Sequence, residues 1–580
     1  MYLCENLGAL KNKEIIRSFR LAVSLLELHD ENPFKIRTYS NAVANLERVD
    51  VPLESLQISD LEHLEGIGKS IASKIFELNQ TGSFPELDAL LAATPPGVVD
   101  MLRIKGIGPK KIRVIWKELG VETAEDLLQA CENNQIAALK GFGSKTQETI
   151  KNGLLYSESS KGKVHYATVE KYSNELVSFL QTNLQTNLVA VAGEVRRRLE
   201  IIETMLFIAA PPDPLQVPVL LQQRPELQFD EVKSGPFVWR GQETQTGVRV
   251  EVKIVAADSF YNALFQYTGA AAHLNSLYND TDCLLQLVNQ QKFASEEEIY
   301  QQAGLPYIQP ELREGRQEIA WARENQLPDL ITDEDLQGIL HNHTTYSDGA
   351  HTLATMATYC RDQGYHYLGI CDHSKAAFYA NGLVEHRVKE QHREIDELNQ
   401  KMSPFRIFKG IEADILADGS LDYNDDVLRT FDFVVASIHS NLKMEEKKAT
   451  ERLLGAIQNP FTTILGHPTG RLLLQREGYP IDYKTVIDAC AFYKVIVEIN
   501  ANPWRLDLDW RWVDYALSQG VLLSINPDAH STGGYHDMHY GVQVARKGGL
   551  TKEMTFNAWP LEKVTNYFEE RRIKALAEVK

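Results

Sequence analysis

The stretch Leu340-His341-Asn342-His343-Thr344-Thr345-Tyr346-Ser347-Asp348-Gly349 decides how the chain is organised. It follows the apolar run Leu336 to Leu340. If that run is a strand, residues two apart leave the same face, so both imidazoles emerge together at its carboxyl end. His-x-His alone is a weak signal, because ordinary core and surface pairs share the spacing. The pattern then recurs. Apolar, β-branched runs stop at metal-ligand residue types: Tyr367 to Cys371 before Asp372-His373, Arg406 to Ile411 before Glu412, Phe433 to Ile438 before His439, and Phe461 to Gly466 before His467. Lys494 to Asn500 is a further run, and Val521 to Asn526 leads into Asp528-Ala529-His530. Helix-like stretches at 352–363, 386–401 and 482–493 lie between them. Strands alternating with helices predict a parallel α/β barrel whose functional side chains gather at the carboxyl ends of the strands. Imidazoles and carboxylates without thiolates suit zinc, manganese or iron, and a glutamate able to bridge ions makes a multinuclear hydrolytic site.

These motifs, His341-Asn342-His343-Thr344, Cys371-Asp372-His373-Ser374, Gly410-Ile411-Glu412, Ser437-Ile438-His439-Ser440, Gly466-His467-Pro468 and Pro527-Asp528-Ala529-His530, resemble those of the PHP (polymerase and histidinol phosphatase) domain. The resemblance covers 338 to about 550. It implies a distorted (β/α)7 barrel with a three-metal phosphoesterase site. Carried over residue by residue, His341, His343, Glu412 and Asp528 hold one ion, and Glu412, His439 and His467 a second. His373 and His530 hold the third, with Asp348 the candidate where some relatives place another histidine in the first loop. Glu412, Asp528 and His439 stand closest to the implied chemistry, in which a metal-activated water attacks phosphorus in line. Lys375, Arg471 and Arg505 are candidate phosphate clamps, each with ordinary solvation as its alternative, and Asp372 is a candidate to orient a ligand.

Composition sets the bounds around this core. With 580 residues the chain has room for three or four domains, and 43% hydrophobic with 24% charged residues is ordinary for a soluble protein. Its apolar runs are too short to span a bilayer, and Met1-Tyr2-Leu3-Cys4-Glu5 lacks the regions of a signal peptide. Six widely spaced cysteines without C-x-x-C fit a reducing cytoplasm. A net charge of −19 disfavours wrapping of nucleic acid by the whole surface, so any DNA contact is local.

Such local contacts have candidates near the amino end. Leu64-Glu65-Gly66-Ile67-Gly68-Lys69 has a near copy in Ile104-Lys105-Gly106-Ile107-Gly108-Pro109-Lys110-Lys111 and a weaker one in Leu139-Lys140-Gly141-Phe142-Gly143. Each leads from a glycine turn into a helix, where free backbone N–H groups can donate to a phosphate oxygen. Singly such a turn is an ordinary helix-helix loop; three within a short span, the second flanked by basic residues, point to DNA. They resemble the helix-hairpin-helix motif, which grips the DNA backbone without reading sequence. Gly66, Gly68, Lys69, Gly106, Gly108, Lys110 and Lys111 are the candidate contacts.

Asn32-Pro33-Phe34-Lys35-Ile36-Arg37-Thr38-Tyr39 with the first hairpin resembles the amino-terminal domain of family X DNA polymerases. Lys74 aligns with the Schiff-base lysine of members that have lyase activity; a solvated or phosphate-binding lysine is the alternative. Ala303 to Arg313 resembles the segment that joins polymerase and PHP domains in bacterial members. The polymerase motif itself is altered. Where the family runs from Gly-Ser-x-Arg-Arg to Asp-x-Asp, this chain has Gly193-Glu194-Val195-Arg196-Arg197, with Thr204 and Leu206 at the aspartate positions and only Glu251 retaining an acid. One carboxylate does not hold two magnesium ions, so polymerase activity is expected to be lost.

The expected architecture is therefore multidomain α/β: a helical lyase-like domain with the first hairpin (1–85), a helix-hairpin-helix fingers-like domain (86–155), a degenerate α+β palm and thumb with linker (156–320), and the PHP barrel (321–580). The expected function is a cytoplasmic, monomeric, three-metal DNA phosphoesterase. It would act on gapped DNA or 3′ ends, as an exonuclease, an end-cleaning enzyme or an abasic-site nuclease. Two alternatives stand beside it: a histidinol-phosphatase-like enzyme for small phosphate monoesters, and a DNA-binding scaffold without catalysis.

Overall fold

A computed structural model describes residues 12–47, 49, 51–104 and 107–579. The chain packs as two units, Met1–Lys161 and Gly162–Lys580. The first is helical. Asn32 caps the helix Pro33–Leu46 by accepting a hydrogen bond from the Phe34 N–H, and Pro33 at the first position costs no intrahelical bond. The helices Lys69–Thr81 and Pro109–Leu119 both end at a left-handed glycine, Gly82 and Gly120. Phe19, Tyr39 and Phe84 meet in the core of this unit.

The second unit carries two sheets that matter for function. The first has five strands in the spatial order Val189–Ala192, Thr204–Ala209, Arg249–Ile254, Val238–Glu243, Leu227–Phe229. The Thr204 and Arg249 strands run parallel, and the remaining neighbours antiparallel. Ala303 to Arg313 is packed rather than extended: Ile308, Leu312 and Arg313 are buried. Arg313 lies on the Phe265, Tyr300 and Tyr307 rings and pairs with Glu296 at 2.5 Å.

The second sheet has seven parallel strands in sequential order: Gly338–Ile339, Tyr367–Ile370, Arg406–Asp414, Phe433–Ser437, Ile464–Leu465, Ile496–Asn500 and Leu523–Asn526. A parallel bridge between Asn342 and Ala529 brings the first and last strands together, so the sheet is a nearly closed barrel. The expected helices are present as Leu353–Asp362, Glu385–Met402 and Tyr483–Tyr493. Glu412 does not end its strand as expected; pairing with the next strand continues through Asp414. Inside the barrel, Leu340, Phe408, Phe433, Val435 and Ile464 pack against Phe556, Val564 and Phe568. Phe568 belongs to the helix Leu561–Glu578 and stacks on Phe433 at 4.9 Å between ring centroids, so apolar side chains fill the interior and the polar residues collect at the other end of the strands. No helix among the described residues is long and apolar enough to cross a membrane.

Candidate metal centre

The two-residue period at the first strand end does what the sequence predicts. Asn342 turns away, donating to the Gly369 carbonyl and accepting from Tyr535, while His341 and His343 turn together toward the barrel axis. Glu412, fully buried, stands at the centre of the cluster. Its Oε1 lies 3.4 Å from His341 Nε2, 3.1 Å from His439 Nε2 and 3.0 Å from His467 Nε2. Its Oε2 lies 3.6 Å from His343 Nε2 and 2.9 Å from His373 Nδ1. Five imidazoles thus face one carboxylate. Asp528 reaches His343 at 3.0 Å and His341 at 3.7 Å, and Asp348 reaches His530 at 3.3 Å and His373 at 3.7 Å.

These side chains form three overlapping groups able to hold a cation: His341, His343 and Asp528; His373, Glu412 and His439; and His343, Asp348, His373 and His530. The grouping differs from the sequence expectation: His343 and His373 each serve two groups, Glu412 falls in one rather than bridging two, and His467 falls in none although it lies 3.0 Å from Glu412. The donor set fits divalent ions on a further ground. His341 Nε2, His373 Nδ1 and Glu412 Oε2 are buried facing one another without a well-formed hydrogen bond, a cost that ligation would remove. Electrostatics agree. Desolvation opposes charge on His439 and His530, yet the surrounding carboxylates raise them to about 10 and about 9, and the imidazoles hold the partly exposed Asp348 down to about 2. His343, buried beside His530 and His373, falls to about 3. The acids of the cluster demand positive charge.

Two supporting carboxylates escaped the sequence reading. Glu498, fully buried, accepts from His341 Nδ1 at 2.7 Å and from Asn526 at 3.1 Å on Oε2, and from Asn500 and the His467 N–H, each at 3.2 Å, on Oε1. It fixes the His341 tautomer so that Nε2 faces Glu412. Asp414 does the same for His439 by taking its Nδ1. Glu412 and Asp414 are two apart on one strand, the same spacing that marks His341 and His343, so the signal was present. Glu498 shows only as a lone acid inside an apolar strand.

Other expectations are corrected. Asp372 orients no ligand; it accepts from the N–H and hydroxyl groups of Thr344 and Ser347 and from Gln391, which pins the loop that carries Asp348. Arg471 is no phosphate clamp, because it is buried against Asp509 and the Arg505 and Leu506 carbonyls. Lys375 pairs with Glu385 at 3.0 Å. Arg505 alone of the three reaches the cluster, with Nε 3.7 Å from Asp528.

In the helical unit, Gly66 has φ +71°, and a Cβ there would run into the Asn45 side chain. Gly68 and Gly108 sit at the amino ends of Lys69–Thr81 and Pro109–Leu119 with no side-chain cap, and Lys69, Lys110 and Lys111 are exposed beside them. Gly106 lies outside the described residues. Lys74 donates to Ser70 at 2.9 Å, lies 3.7 Å from Glu86 and over the Tyr39 ring, and is held below the usual lysine range by burial and by Lys35.

Comparison with known proteins places the whole arrangement. Family profiles match residues 10–84 as a helix-hairpin-helix domain, 98–154 as a SAM-like helix-hairpin-helix tandem and 340–502 as a PHP domain. The chain is 35% identical over 568 residues to the "DNA polymerase/3'-5' exonuclease PolX" of Bacillus subtilis (strain 168), covering 96% of this chain and 99% of that protein. The chain belongs to the PolX family. Similarity to probable phosphatases is confined to part of its length: 26% identity over 187 residues to one from Thermoanaerobacter sp. (strain X514), covering 30% of this chain and 74% of that protein, and 25% over 252 residues to one from Shewanella sp. (strain MR-4), covering 41% and 94%.

Within this PolX chain, the five-stranded sheet places Leu206 opposite Glu251 and Thr204 opposite Arg249. The Glu251 oxygens are taken by Arg240 at 2.8 Å and Lys253 at 2.6 Å, and these cations hold its carboxyl below the usual range against the effect of burial. Glu194 turns inward to accept from the Glu203 and Thr204 N–H groups. Arg196 bonds Thr268 and Glu296, and Arg197 bonds Glu314 and the Thr268 carbonyl.

Proposed function

We propose that this chain hydrolyses DNA phosphodiesters at the mouth of its barrel, removing nucleotides from 3′ ends, and that its polymerase sheet no longer synthesises DNA. The observation that carries the first part is the convergence of five imidazoles on Glu412, with buried nitrogens facing it that lack a well-formed hydrogen bond. His341, His343, His373, His439, His530, Glu412, Asp528 and Asp348, with His467 beside Glu412, would hold divalent ions, three in the reading from the PHP resemblance. When bound, such ions supply an activated water and stabilise the phosphoryl oxygens. Glu498 and Asp414 hold His341 and His439 in the ligating tautomer. Arg505 stands where it can pair with a phosphate oxygen once Asp528 is engaged. The apolar filling below the cluster keeps bulk water to one side.

The second part rests on the cations at Glu251. Two magnesium ions need several carboxylates, and here the one acid is neutralised by Arg240 and Lys253, while Arg196 and Arg197, which would meet a triphosphate, are bound to internal acids and carbonyls. The uncapped amino ends at Gly68 and Gly108, with Lys69, Lys110 and Lys111, would grip the DNA backbone. Lys74, with its lowered proton affinity, is positioned for Schiff-base chemistry at an abasic sugar in the same unit.

Small phosphate monoester hydrolysis is the second reading, favoured by the partial similarity to probable phosphatases. Incubation with Mn²⁺ of a 3′-recessed primer and, separately, of a small phosphate ester, using wild type and His341→Ala, distinguishes them. DNA shortening that the substitution abolishes supports the proposal; ester cleavage with intact DNA reverses it.

A further inference from the structure

Beside the metal centre the chain exposes two consecutive aromatic rings. Phe378 is 85% and Tyr379 63% exposed, while the alanines on either side, Ala377 and Ala380, are buried. Buried alanines are ordinary, whereas two adjacent aromatic rings left in solvent mark an interaction surface. The segment is not loosely held. Phe378–Ala380 is a 3₁₀ turn closed by the Ala377 N–H to the Ser374 carbonyl and the Gly382 N–H to the Ala377 carbonyl. The Ala376 N–H donates to Asp422, the Leu383 N–H to the His373 carbonyl at 2.8 Å, and Asn381 to the Tyr346 carbonyl. The rings are therefore presented to solvent by a rigid loop whose ends are tied to the site itself. Tyr379 lies 6.4 Å, ring to ring, from His373 of the candidate metal centre.

We propose that Phe378 and Tyr379 form a base-stacking platform, which seats the nucleobase next to the scissile phosphate while Arg505 takes a phosphate oxygen. A π-face accepts any base, so the platform selects for nucleotides over base-free phosphate esters without reading sequence. Both residues are positioning residues for the hydrolysis proposed above, and the inference rests on that reading. A second exposed aromatic pair, Phe492 and Tyr493, ends the helix Tyr483–Tyr493; that helix runs back from the strand ends, so the pair sits at the opposite end of the barrel and provides a control.

The test compares wild type, Phe378→Ala/Tyr379→Ala, the conservative Phe378→Tyr/Tyr379→Phe and Phe492→Ala, all as full chains with Mn²⁺. Substrates are a 5′-labelled oligothymidylate and the aliphatic ester glycerol 2-phosphate, followed by release of phosphate; a hydrolysis-resistant phosphorothioate thymidine dinucleotide serves as inhibitor. Loss of the stacked base is expected to lower kcat/KM on the oligonucleotide about tenfold or more, chiefly through KM, and to weaken dinucleotide inhibition of ester cleavage by a similar factor. Cleavage of the base-free ester should be unchanged, with the conservative variant and Phe492→Ala close to wild type. Equal oligonucleotide cleavage and equal inhibition in the double alanine variant overturn the platform, as does an equal loss on both substrates. If wild type leaves DNA intact yet cleaves the ester, the function proposed above fails, and dinucleotide inhibition still decides the platform separately.

Discussion

Replacing Glu498 by glutamine keeps the shape of the side chain and removes its charge. Four donors converge on the two Glu498 oxygens: His341 Nδ1 and Asn526 on one, Asn500 and the His467 N–H on the other. A glutamine has one acceptor oxygen, so whichever way its amide turns, an NH₂ group faces a pair of donors. If the oxygen keeps His341, the His467 N–H and Asn500 lose their acceptor, at about 1–3 kcal/mol for each buried group left unsatisfied. Asn500 cannot recover by flipping without giving up the bond its oxygen accepts from the Asn502 N–H. If the amide turns the other way, His341 loses the partner that fixes its tautomer. In both cases a candidate metal ligand is loosened, and the expected fall in metal affinity is about 10–100-fold. Competition against a fluorescent chelator for Zn²⁺ or Mn²⁺ measures that affinity directly, and thermal melting of the metal-free protein reads the destabilisation alongside it. Wild-type affinity in Glu498→Gln would refute the reasoning, because it would mean that the buried carboxylate does not orient His341.

Further outcomes follow from other parts of the molecule. Asp414→Asn, which leaves His439 Nδ1 facing an amide, should likewise cost about 10–100-fold in nuclease rate and be checked by steady-state kinetics with Mn²⁺. With Mg²⁺ and all four deoxynucleotides, wild type should extend no primer; extension that survives His341→Ala would show that the Arg240–Glu251–Lys253 cluster is displaced by metal. Lys69→Ala and Lys110→Ala should each lower the slope of log Kd for DNA against log salt by about one, without altering sequence preference. His539, bonded to Asp333 at 2.9 Å and Glu170 at 3.0 Å, is raised to about 9 by those carboxylates against the effect of burial. Its contribution to stability is fully present below the unfolded value of about 6.5 and is lost as pH rises through the folded one. Melting temperature should accordingly fall more steeply between these limits in wild type than in His539→Gln.

The barrel and its cluster were legible because the signals are local. An apolar run that stops at or beside a ligand-type residue marks a strand, and six of the seven strands of the parallel barrel bring such residues to the same end. Supporting residues are harder to read, since their roles depend on partners far along the chain. Glu498 meets His341 across 157 positions, and an acid inside Val495 to Asn500 carries no mark of its function until the two strands are placed. Arg471 and Arg505 looked equivalent in sequence, and only burial against Asp509 separates the structural arginine from the one that faces the cluster. The altered polymerase motif was visible as missing aspartates at Thr204 and Leu206, and Lys253 stands two residues from Glu251 on the same strand, whereas Arg240 comes from a neighbouring strand that sequence alone does not pair. Phe378 and Tyr379 gave no signal either, because two aromatics between alanines read as core until their exposure is known.

The most direct test is the fate of a 5′-labelled single-stranded oligonucleotide incubated with Mn²⁺ and wild type or Glu412→Gln, resolved at single-nucleotide resolution. Progressive shortening from the 3′ end by wild type, with no shortening by Glu412→Gln, is the predicted result. Shortening that persists when Glu412 is replaced would contradict the claim that the cluster at the barrel mouth cleaves the phosphodiester.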